Sequence, residues 1–343
     1  MRRFLVLVPL IVGLALSLGP PLAPMSQSQS PLTPCGECAY STEEDFITQG
    51  PTPPDGNPII SDGDLLSCSG AVCLRNAQLV RQFDVTQDMG LDAVDVLDVE
   101  RTLVAFSTEL NSPHGNFTHG DLLTTSGIVI PNTALLRLFQ VAGDRGLDAV
   151  HFVGKIEDIL RFLEAIANVS RDEWLADPGK LVSTLQEYEV DIWFSIEGTE
   201  QRASVMPIYD GDLLSARNGN IVVSNGGLLP VGVPAGLLTR GVDFGLDAVT
   251  ADRSGSRQSI RFSTEILYRG KLAFNDGDIL GFNNGILKSS RDLYAPLEPK
   301  ADFLGTDALY IKLEKPAAQW DNYLPHVLRS FVQRIRALVR TRR

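Results

Sequence analysis

Carboxylate side chains recur in this chain at regular places, and carboxylates are the groups with which proteins bind calcium or cleave glycosidic bonds. A glutamate ends a motif of the form aromatic-Ser-x-Glu in four places. We call these residues the motif glutamates: Glu43, Glu109, Glu197 and Glu265. Asp-Gly-Asp turns occur three times, and the calcium candidates are the aspartates of these turns: Asp62, Asp64, Asp210, Asp212, Asp276 and Asp278.

A residue that every copy of a repeat contains is most simply a structural requirement, whereas an active site normally breaks the symmetry of the repeat. No pair of these acids differs from its copies. We therefore assign no catalytic residue and no required cofactor, with calcium as the one ion that the turns would take. His114 and His119 lie near Asp121 and would suit a metal or acid–base site, although loop histidines without a third ligand are commonly solvated.

The cysteines are the other residues with chemistry of their own, and there are four: Cys35, Cys38, Cys68 and Cys73. An even number of cysteines in an exported chain predicts disulfides, with structural zinc or a redox-active Cys-x-x-Cys as the alternatives. Either Cys68 and Cys73 bridge a hairpin, or Cys35 and Cys38 reach across to them. The sequence leaves this connectivity open.

Three motifs repeat along the chain in one order, which indicates a repeat architecture. Aromatic-Ser-x-Glu comes first, a GDLL-type turn follows, and GLDAV (GTDAL in the last copy) ends each unit. The repeated units span residues 39–99, 102–154, 189–252 and 259–313.

Each motif predicts a strand or a turn, because apolar and polar residues nearly alternate in stretches such as LVAFSTEL. About four strands per unit predict an all-β fold, a four-repeat β-propeller-like ring, with an open β-sandwich or a linear β-repeat array as alternatives. The alanine of GLDAV suits a place where sheets converge. We expect the aspartate beside it to be satisfied by backbone donors. We also expect the last strand, in DALYIKL, to complete the sheet of the first unit.

The Asp-Ala strands resemble those of hemopexin-type four-bladed propellers. The resemblance rests on the dipeptides Asp92-Ala93, Asp148-Ala149, Asp247-Ala248 and Asp307-Ala308 and covers roughly residues 39–313. It implies a four-bladed shape and no particular ligand.

Several segments fall outside the repeat. Residues 1–23 predict a signal peptide or an uncleaved N-terminal anchor, and residues 24–38 predict a Pro/Ser-rich linker that carries the Cys-x-x-Cys. The four-repeat β domain covers residues 39–316. Residues 155–188 have helical spacing and predict a helical insertion, either a binding surface or a packing cap.

The final segment, residues 317–343, predicts a basic amphipathic helix. Its part from 324 to 343 would contact a membrane surface, dock on the acidic body or bind a helical partner.

The charge balance excludes one class of partner. The net charge is -12, and the two ends are basic, with arginines at 2, 3, 329, 334, 336, 340, 342 and 343, so the body is more acidic than the whole chain and repels nucleic acid. We expect an exported, non-enzymatic binding or structural module that meets an unknown protein, polysaccharide or cell-surface partner. An exported, glycosidase-like hydrolase on a propeller is the alternative. The expected location is secreted or associated with the cell envelope.

Overall fold

The computed structural model of this chain describes residues 30–202, 206–236, 241–299 and 304–313. The predicted signal segment (1–23) and the predicted basic helix (317–343) lie outside the described residues. The predicted linker is described from Ser30 onward, where a 3₁₀ turn at Thr33–Cys35 leads into the first strand.

Short strands make up most of the regular structure. In chain order they are β1 (Cys38–Tyr40), β2 (Phe46–Ile47), β3 (Ile59–Ile60), β4 (Leu65–Ser67), β5 (Val72–Leu74), β6 (Val94–Asp98), β7 (Leu103–Phe106), β8 (Leu122–Thr124), β9 (Val129–Ile130), β10 (Val150–Val153), β11 (Asp191–Phe194), β12 (Leu213–Ser215), β13 (Asn220–Val223), β14 (Val249–Thr250), β15 (Arg261–Phe262), β16 (Ile279–Gly281), β17 (Ile286–Lys288) and β18 (Leu309–Ile311).

Helices are few and short. They are α1 (Asn76–Leu79), α2 (Asn132–Leu135), α3 (Ile156–Ile166), α4 (Arg171–Ala176), α5 (Gly179–Glu187), α6 (Asn225–Leu228) and α7 (Ser290–Tyr294), with further 3₁₀ turns at Val80–Phe83, Arg137–Phe139 and Arg257–Ser259. Within the described ranges, none of them combines the length and the apolar character that a bilayer crossing requires.

The strands form four sheets of four strands each and one small hairpin, and the pairs that join them are all antiparallel. Sheet I has the order β18-β1-β4-β5, sheet II is β6-β7-β8-β9, sheet III is β10-β11-β12-β13, sheet IV is β14-β15-β16-β17, and β2 pairs with β3. The prediction of an all-β fold is confirmed.

The sheets are offset from the sequence units by one strand. Each GLDAV strand ends a unit in sequence but forms the first strand of the following sheet, because it pairs with the aromatic-Ser-x-Glu strand that comes after it. The last GLDAV-type strand, β18, pairs with β1, so that Tyr40 lies opposite Leu309. Sheet I therefore joins the two ends of the repeat region.

The four first strands contact one another in turn: β6 lies against β10 and β18, and β14 lies against the same two strands. Four apolar cores fill the spaces between sheets I and II, II and III, III and IV, and IV and I. The alanines of the GLDAV-type motifs are fully or almost fully buried, each in a different core: Ala93, Ala149, Ala248 and Ala308. A larger side chain at these positions would push adjacent sheets apart.

The predicted helical segment contains α3, α4 and α5, and it lies inside sheet III, between β10 and β11. Apolar residues of all three helices, including Phe162, Trp174 and Leu185, are buried in the core between sheets II and III. Arg171 donates from Nε to Asp121 Oδ2 of sheet II at 2.6 Å. These contacts favour the packing role for the insertion.

All four cysteines form disulfides, as the sequence predicts, and the bridges are Cys35–Cys73 and Cys38–Cys68. Of the two connectivities left open by the sequence, the structure has the one in which Cys35 and Cys38 pair with Cys73 and Cys68. Both bridges belong to sheet I, where they connect β1 and the turn before it to β5 and the end of β4. Disulfides of this kind fit an extracellular protein.

Arg253 connects the first strands of all four sheets. It follows β14, and its guanidinium donates to both carboxylate oxygens of Asp95 in β6 at 2.5 and 2.7 Å. It also donates to the Phe152 carbonyl oxygen of β10 at 2.8 Å, and it lies 6.0 Å from the ring centroid of Tyr310 in β18. Asp95 is fully buried, so its negative charge depends on this one cation.

We expect Arg253→Met to lower the free energy of unfolding by about 3–5 kcal/mol, because it leaves the buried Asp95 carboxylate without its cation. Urea unfolding measures the change. The matched control is Arg161→Met, which removes an exposed ion pair with Asp158 on α3 and should destabilise the protein far less than Arg253→Met does, because water screens an exposed pair. Equal losses in the two variants would contradict the assignment.

Candidate carboxylate site

The serine of each aromatic-Ser-x-Glu motif connects two sheets. Its backbone amide donates to the GLDAV-type alanine of its own sheet, while its hydroxyl donates to a backbone carbonyl of the next sheet. We call these residues the latch serines, and their hydroxyl bonds of 2.6–2.8 Å are Ser41–Leu91, Ser107–Leu147, Ser195–Leu246 and Ser263–Thr306. The bonds run from sheet I to II, II to III, III to IV and IV to I.

Each carbonyl that accepts a latch bond belongs to the residue just before the aspartate of a GLDAV-type motif. We call these residues the strand-start aspartates: Asp92, Asp148, Asp247 and Asp307. Each stands two residues before the first strand of its sheet, and each motif glutamate stands three residues after the second strand. First and second strands are antiparallel, so both carboxylates lie at the same end of every sheet.

The first strands lie side by side, so the strand-start aspartates and the motif glutamates converge. We call these eight residues the carboxylate cluster. Within each sheet the glutamate side chain lies against the GLDAV-type glycine: a Cβ on Gly90 would lie 2.5 Å from Glu109 Cδ, and one on Gly146 would lie 2.5 Å from Glu197 Cδ. Both glycines also have positive φ, 68° and 73°, so any other residue there is excluded by strain as well as by space.

The strand-start aspartates are buried, with exposed fractions of 4–7 %. We expected backbone donors to satisfy them, and that prediction is wrong for three of the four. Asp92 Oδ2, both carboxylate oxygens of Asp148, and Asp247 Oδ2 have no hydrogen-bond partner. Burying such oxygens without a partner is costly, so they mark the place where the chain alone does not complete its own contacts.

The proximity of the acids raises their pKa values. For all four strand-start aspartates, burial is the first cause and the neighbouring carboxylates are the second, and the pKa lies well above its ordinary value. The pKa of Glu43, Glu109 and Glu265 is raised to about 7, again by burial first and then by nearby acids. In the absence of a bound cation, part of the carboxylate cluster therefore holds protons near neutral pH.

The carboxylate cluster has two unlike halves. On one side, the carboxyl group of Asp307 lies beside those of Glu109 and Asp247. On the other side, one carboxylate oxygen each of Asp92, Asp148 and Glu197 lie within 4.8 Å of one another. Among the described residues this is the one set of acids and histidines close enough to hold a metal ion.

His119 also distinguishes this second half. It takes the place of the first aspartate of the Asp-Gly-Asp turns, and its Nδ1 lies 3.0 Å from Glu197 Oε1. In the other copies an aspartate faces the glutamate and raises its pKa: Asp62 beside Glu109, and Asp210 beside Glu265. The bond to Glu197 is the main cause that raises the pKa of His119. Glu197 is therefore the motif glutamate with a potentially positive neighbour.

The second aspartate of each GDLL-type turn has a structural contact in every copy. Its Oδ2 accepts from the backbone amide three residues earlier and its Oδ1 accepts from the first residue of the following helix, in the pattern of Asp64 with Ser61 and Asn76. The residues that share this pattern are Asp64, Asp121, Asp212 and Asp278.

None of the six calcium candidates belongs to the set that is close enough to share an ion. The first aspartates of the turns, Asp62, Asp210 and Asp276, lie beside motif glutamates instead. The candidate pair His114 and His119 is not used as one site with Asp121, because His119 is bonded to Glu197 and Asp121 to Arg171.

The strand-start aspartates were not predicted as site residues. Their signal was present: an acidic residue recurs inside an otherwise apolar GLDAV segment. Comparison with protein-family models, with curated proteins and with solved structures finds no match for this chain.

The raised pKa values predict how stability depends on pH. The comparison is made in buffer that contains a metal chelator. Between about pH 5 and pH 8, the folded carboxylate cluster retains protons that the same residues have lost in the unfolded chain. Raising the pH through this range therefore lowers the free energy of unfolding.

We expect Asp247→Asn to be more stable than the parent at pH 8, because it removes a buried acid whose pKa is raised by burial and by neighbouring carboxylates, and to flatten the pH profile. Chemical unfolding at several pH values measures this. Glu187→Gln, on the exposed end of α5, is the control and should leave the profile unchanged. A parent profile that rises between pH 5 and pH 8 would contradict the argument.

Proposed function

We propose that this chain is an exported, non-enzymatic binding module built on a closed four-bladed β-propeller, and that a cationic group binds at its carboxylate cluster. The sheets are the blades, and their first strands surround the central axis. The carboxylate cluster then lies at one end of that axis. An exported hydrolase on the same scaffold remains the second candidate, since carboxylates are also the catalytic groups of glycosidases.

Three contacts support the closed ring. Four apolar cores alternate with the four sheets, the latch bonds run from each sheet to the next and from sheet IV to sheet I, and β18 pairs with β1. An open array would leave two sheet faces without a neighbour, whereas here each sheet borders two cores. Pairing of the last strand with the first also removes the exposed edge of β1.

A pair of truncations tests the ring. A chain that ends at residue 313 keeps β18, and a chain that ends at residue 303 lacks it. We expect the first to unfold in a single cooperative transition, and the second to lose cooperativity and aggregate, since β1 then has an unpaired edge. Calorimetry and size-exclusion chromatography measure both properties. Equal cooperativity in the two chains would favour an open array.

The unpartnered oxygens of Asp92, Asp148 and Asp247 carry the proposal of binding. Other repeated polar residues have contacts inside the chain: the latch serines donate to the next sheet, and the second aspartates of the turns cap the helices. A buried carboxylate oxygen without a donor is costly, and a bound cation supplies the missing partner. The function that the geometry supports best is therefore cation binding.

The geometry supports hydrolysis less well. The three acids whose oxygens come together are Asp92, Asp148 and Glu197. The two aspartates are almost completely buried, and an acid at the centre of glycoside hydrolysis must contact the sugar.

The proposal of export rests on the apolar N-terminal run that follows two arginines, and on the disulfides. The carboxylate cluster narrows the earlier expectation of a protein, polysaccharide or surface partner to partners that present positive charge or a bound metal ion.

The experiment compares binding with turnover in the same samples. Thermal unfolding is followed with defined cationic probes, namely Ca²⁺, Mg²⁺, Mn²⁺, putrescine and hexa-arginine, while chromogenic glycosidase and esterase substrates report hydrolysis. We expect at least one probe to raise the melting temperature, less so in Asp148→Asn, with the Glu187→Gln control behaving as the parent.

Hydrolysis that is abolished by one acidic substitution would establish the second candidate instead. If none of the cationic probes raises the melting temperature, the proposed binding function is wrong.

A further inference from the structure

We infer that the carboxylate cluster binds one calcium ion off its centre, with Asp92, Asp148 and Glu197 as the protein ligands. This inference rests on the proposed function, since it names the cation. It differs from the sequence expectation in its residues, because none of the Asp-Gly-Asp aspartates is a ligand.

The spacing of the three carboxylates suits a shared ion. Calcium lies 2.3–2.6 Å from its oxygen ligands, so two ligand oxygens on opposite sides of one ion lie up to about 5 Å apart. The oxygens of Asp92, Asp148 and Glu197 lie within 4.8 Å of one another. A single ion between the three carboxylates therefore needs only small movements of their side chains to contact all of them.

The unpartnered atoms point to the same place. Both oxygens of Asp148 and Oδ2 of Asp92 have no hydrogen-bond partner, and these side chains are 96 % and 93 % buried according to their exposed fractions of 4 % and 7 %. Glu197, the third ligand, has a hydrogen bond with His119. The chain therefore supplies no hydrogen bond to either oxygen of Asp148 or to Oδ2 of Asp92.

The third ligand completes the asymmetry. Glu197 is exposed at 49 % of its side chain, so it closes the solvent side of the ion while the two aspartates hold it from within. His119 donates to Glu197 and orients the carboxylate, in the way that hydrogen-bonded neighbours orient metal ligands. In the other copies an aspartate at this position repels the glutamate. The residue that faces the motif glutamate thus differs from its counterparts in the other copies at this one position, as expected of a specific site.

Calcium fits the ligand set better than other common ions do. All three ligands are carboxylate oxygens, which suit calcium, magnesium or manganese rather than soft metals. Magnesium requires near-ideal octahedral geometry and loses its water reluctantly, whereas calcium accepts irregular sets of six to eight oxygens. Three carboxylates on one side, with water on the exposed side of Glu197, make such an irregular set.

Isothermal titration of the EGTA-treated, full-length protein with CaCl₂ tests the inference. We expect one site per chain with a dissociation constant of about 10⁻⁴ M, as in extracellular calcium modules, and at least tenfold weaker binding of Mg²⁺.

The repeat supplies matched controls for each ligand. Asp148→Asn and Glu197→Gln should weaken Ca²⁺ binding at least thirtyfold. Asp307→Asn and Glu265→Gln make the same chemical change at the same positions of other sheets, and they should weaken it less than threefold. Thermal unfolding in EGTA verifies that all four variants fold. This check matters most for the variants of the buried aspartates, because a substitution there can prevent folding. Glu197→Gln changes the exposed ligand without disturbing the interior.

The outcomes separate the ion from the broader function. If all four variants weaken Ca²⁺ binding equally, the ion lies on the central axis and the assignment to these three ligands is wrong. If Ca²⁺ does not bind but putrescine or hexa-arginine raises the melting temperature, the calcium inference fails while the proposed function stands. If no cation binds, both fail.

Discussion

Four hydrogen bonds from serine hydroxyls to backbone carbonyls position nearly every other feature of this protein. Each connects the second strand of one sheet to the backbone just before the first strand of the next. A buried hydrogen bond of this kind contributes about 1 kcal/mol, so the four together matter less for stability than for geometry. Because each acceptor carbonyl immediately precedes a strand-start aspartate, the same bonds that hold adjacent sheets also place the carboxylates.

Two buried acids near the first strands differ in their partners. Within β6, Asp95 accepts from the guanidinium of Arg253 and from the amide of Phe152, so the charge is satisfied inside the chain. Just before β10, Asp148 is buried to a similar degree with no partner on either oxygen. Protons held by neighbouring acids reduce the electrostatic cost there. The apolar cores between the sheets must compensate for what remains.

Much of the fold followed from the sequence alone. The repeat, the alternating strands, the helical insertion and the small alanine in GLDAV all have local patterns that predict local structure. The repeat also predicted the pairing of the last strand with the first unit, which is confirmed. The other sheet partners did not follow, because alternation identifies a strand but not its partner. For that reason the offset of the sheets by one strand and the pairing of the cysteines required the structure.

The candidate site was harder to predict for the same reason. Asp92 and Glu109 belong to different motifs, and only the antiparallel pairing of their strands brings them to one end of a sheet. The approach of Asp148 to Asp92 further depends on the contact between first strands of different sheets. A repeat also makes a site harder to recognise, since four equal copies of a residue indicate a structural role. His119 is the one departure from the Asp-Gly-Asp pattern, but the sequence does not show that it contacts Glu197.

Sheet I combines strands that lie far apart in the chain. Its strands β1, β4 and β5 precede the other three sheets and β18 follows them, so this sheet cannot be complete until the residues of the other three have been made. Closing a loop of that length is slow and entropically costly. The disulfides Cys35–Cys73 and Cys38–Cys68 both lie in this sheet, where they cross-link β1 and the turn before it to β5 and the end of β4 without any contribution from β18.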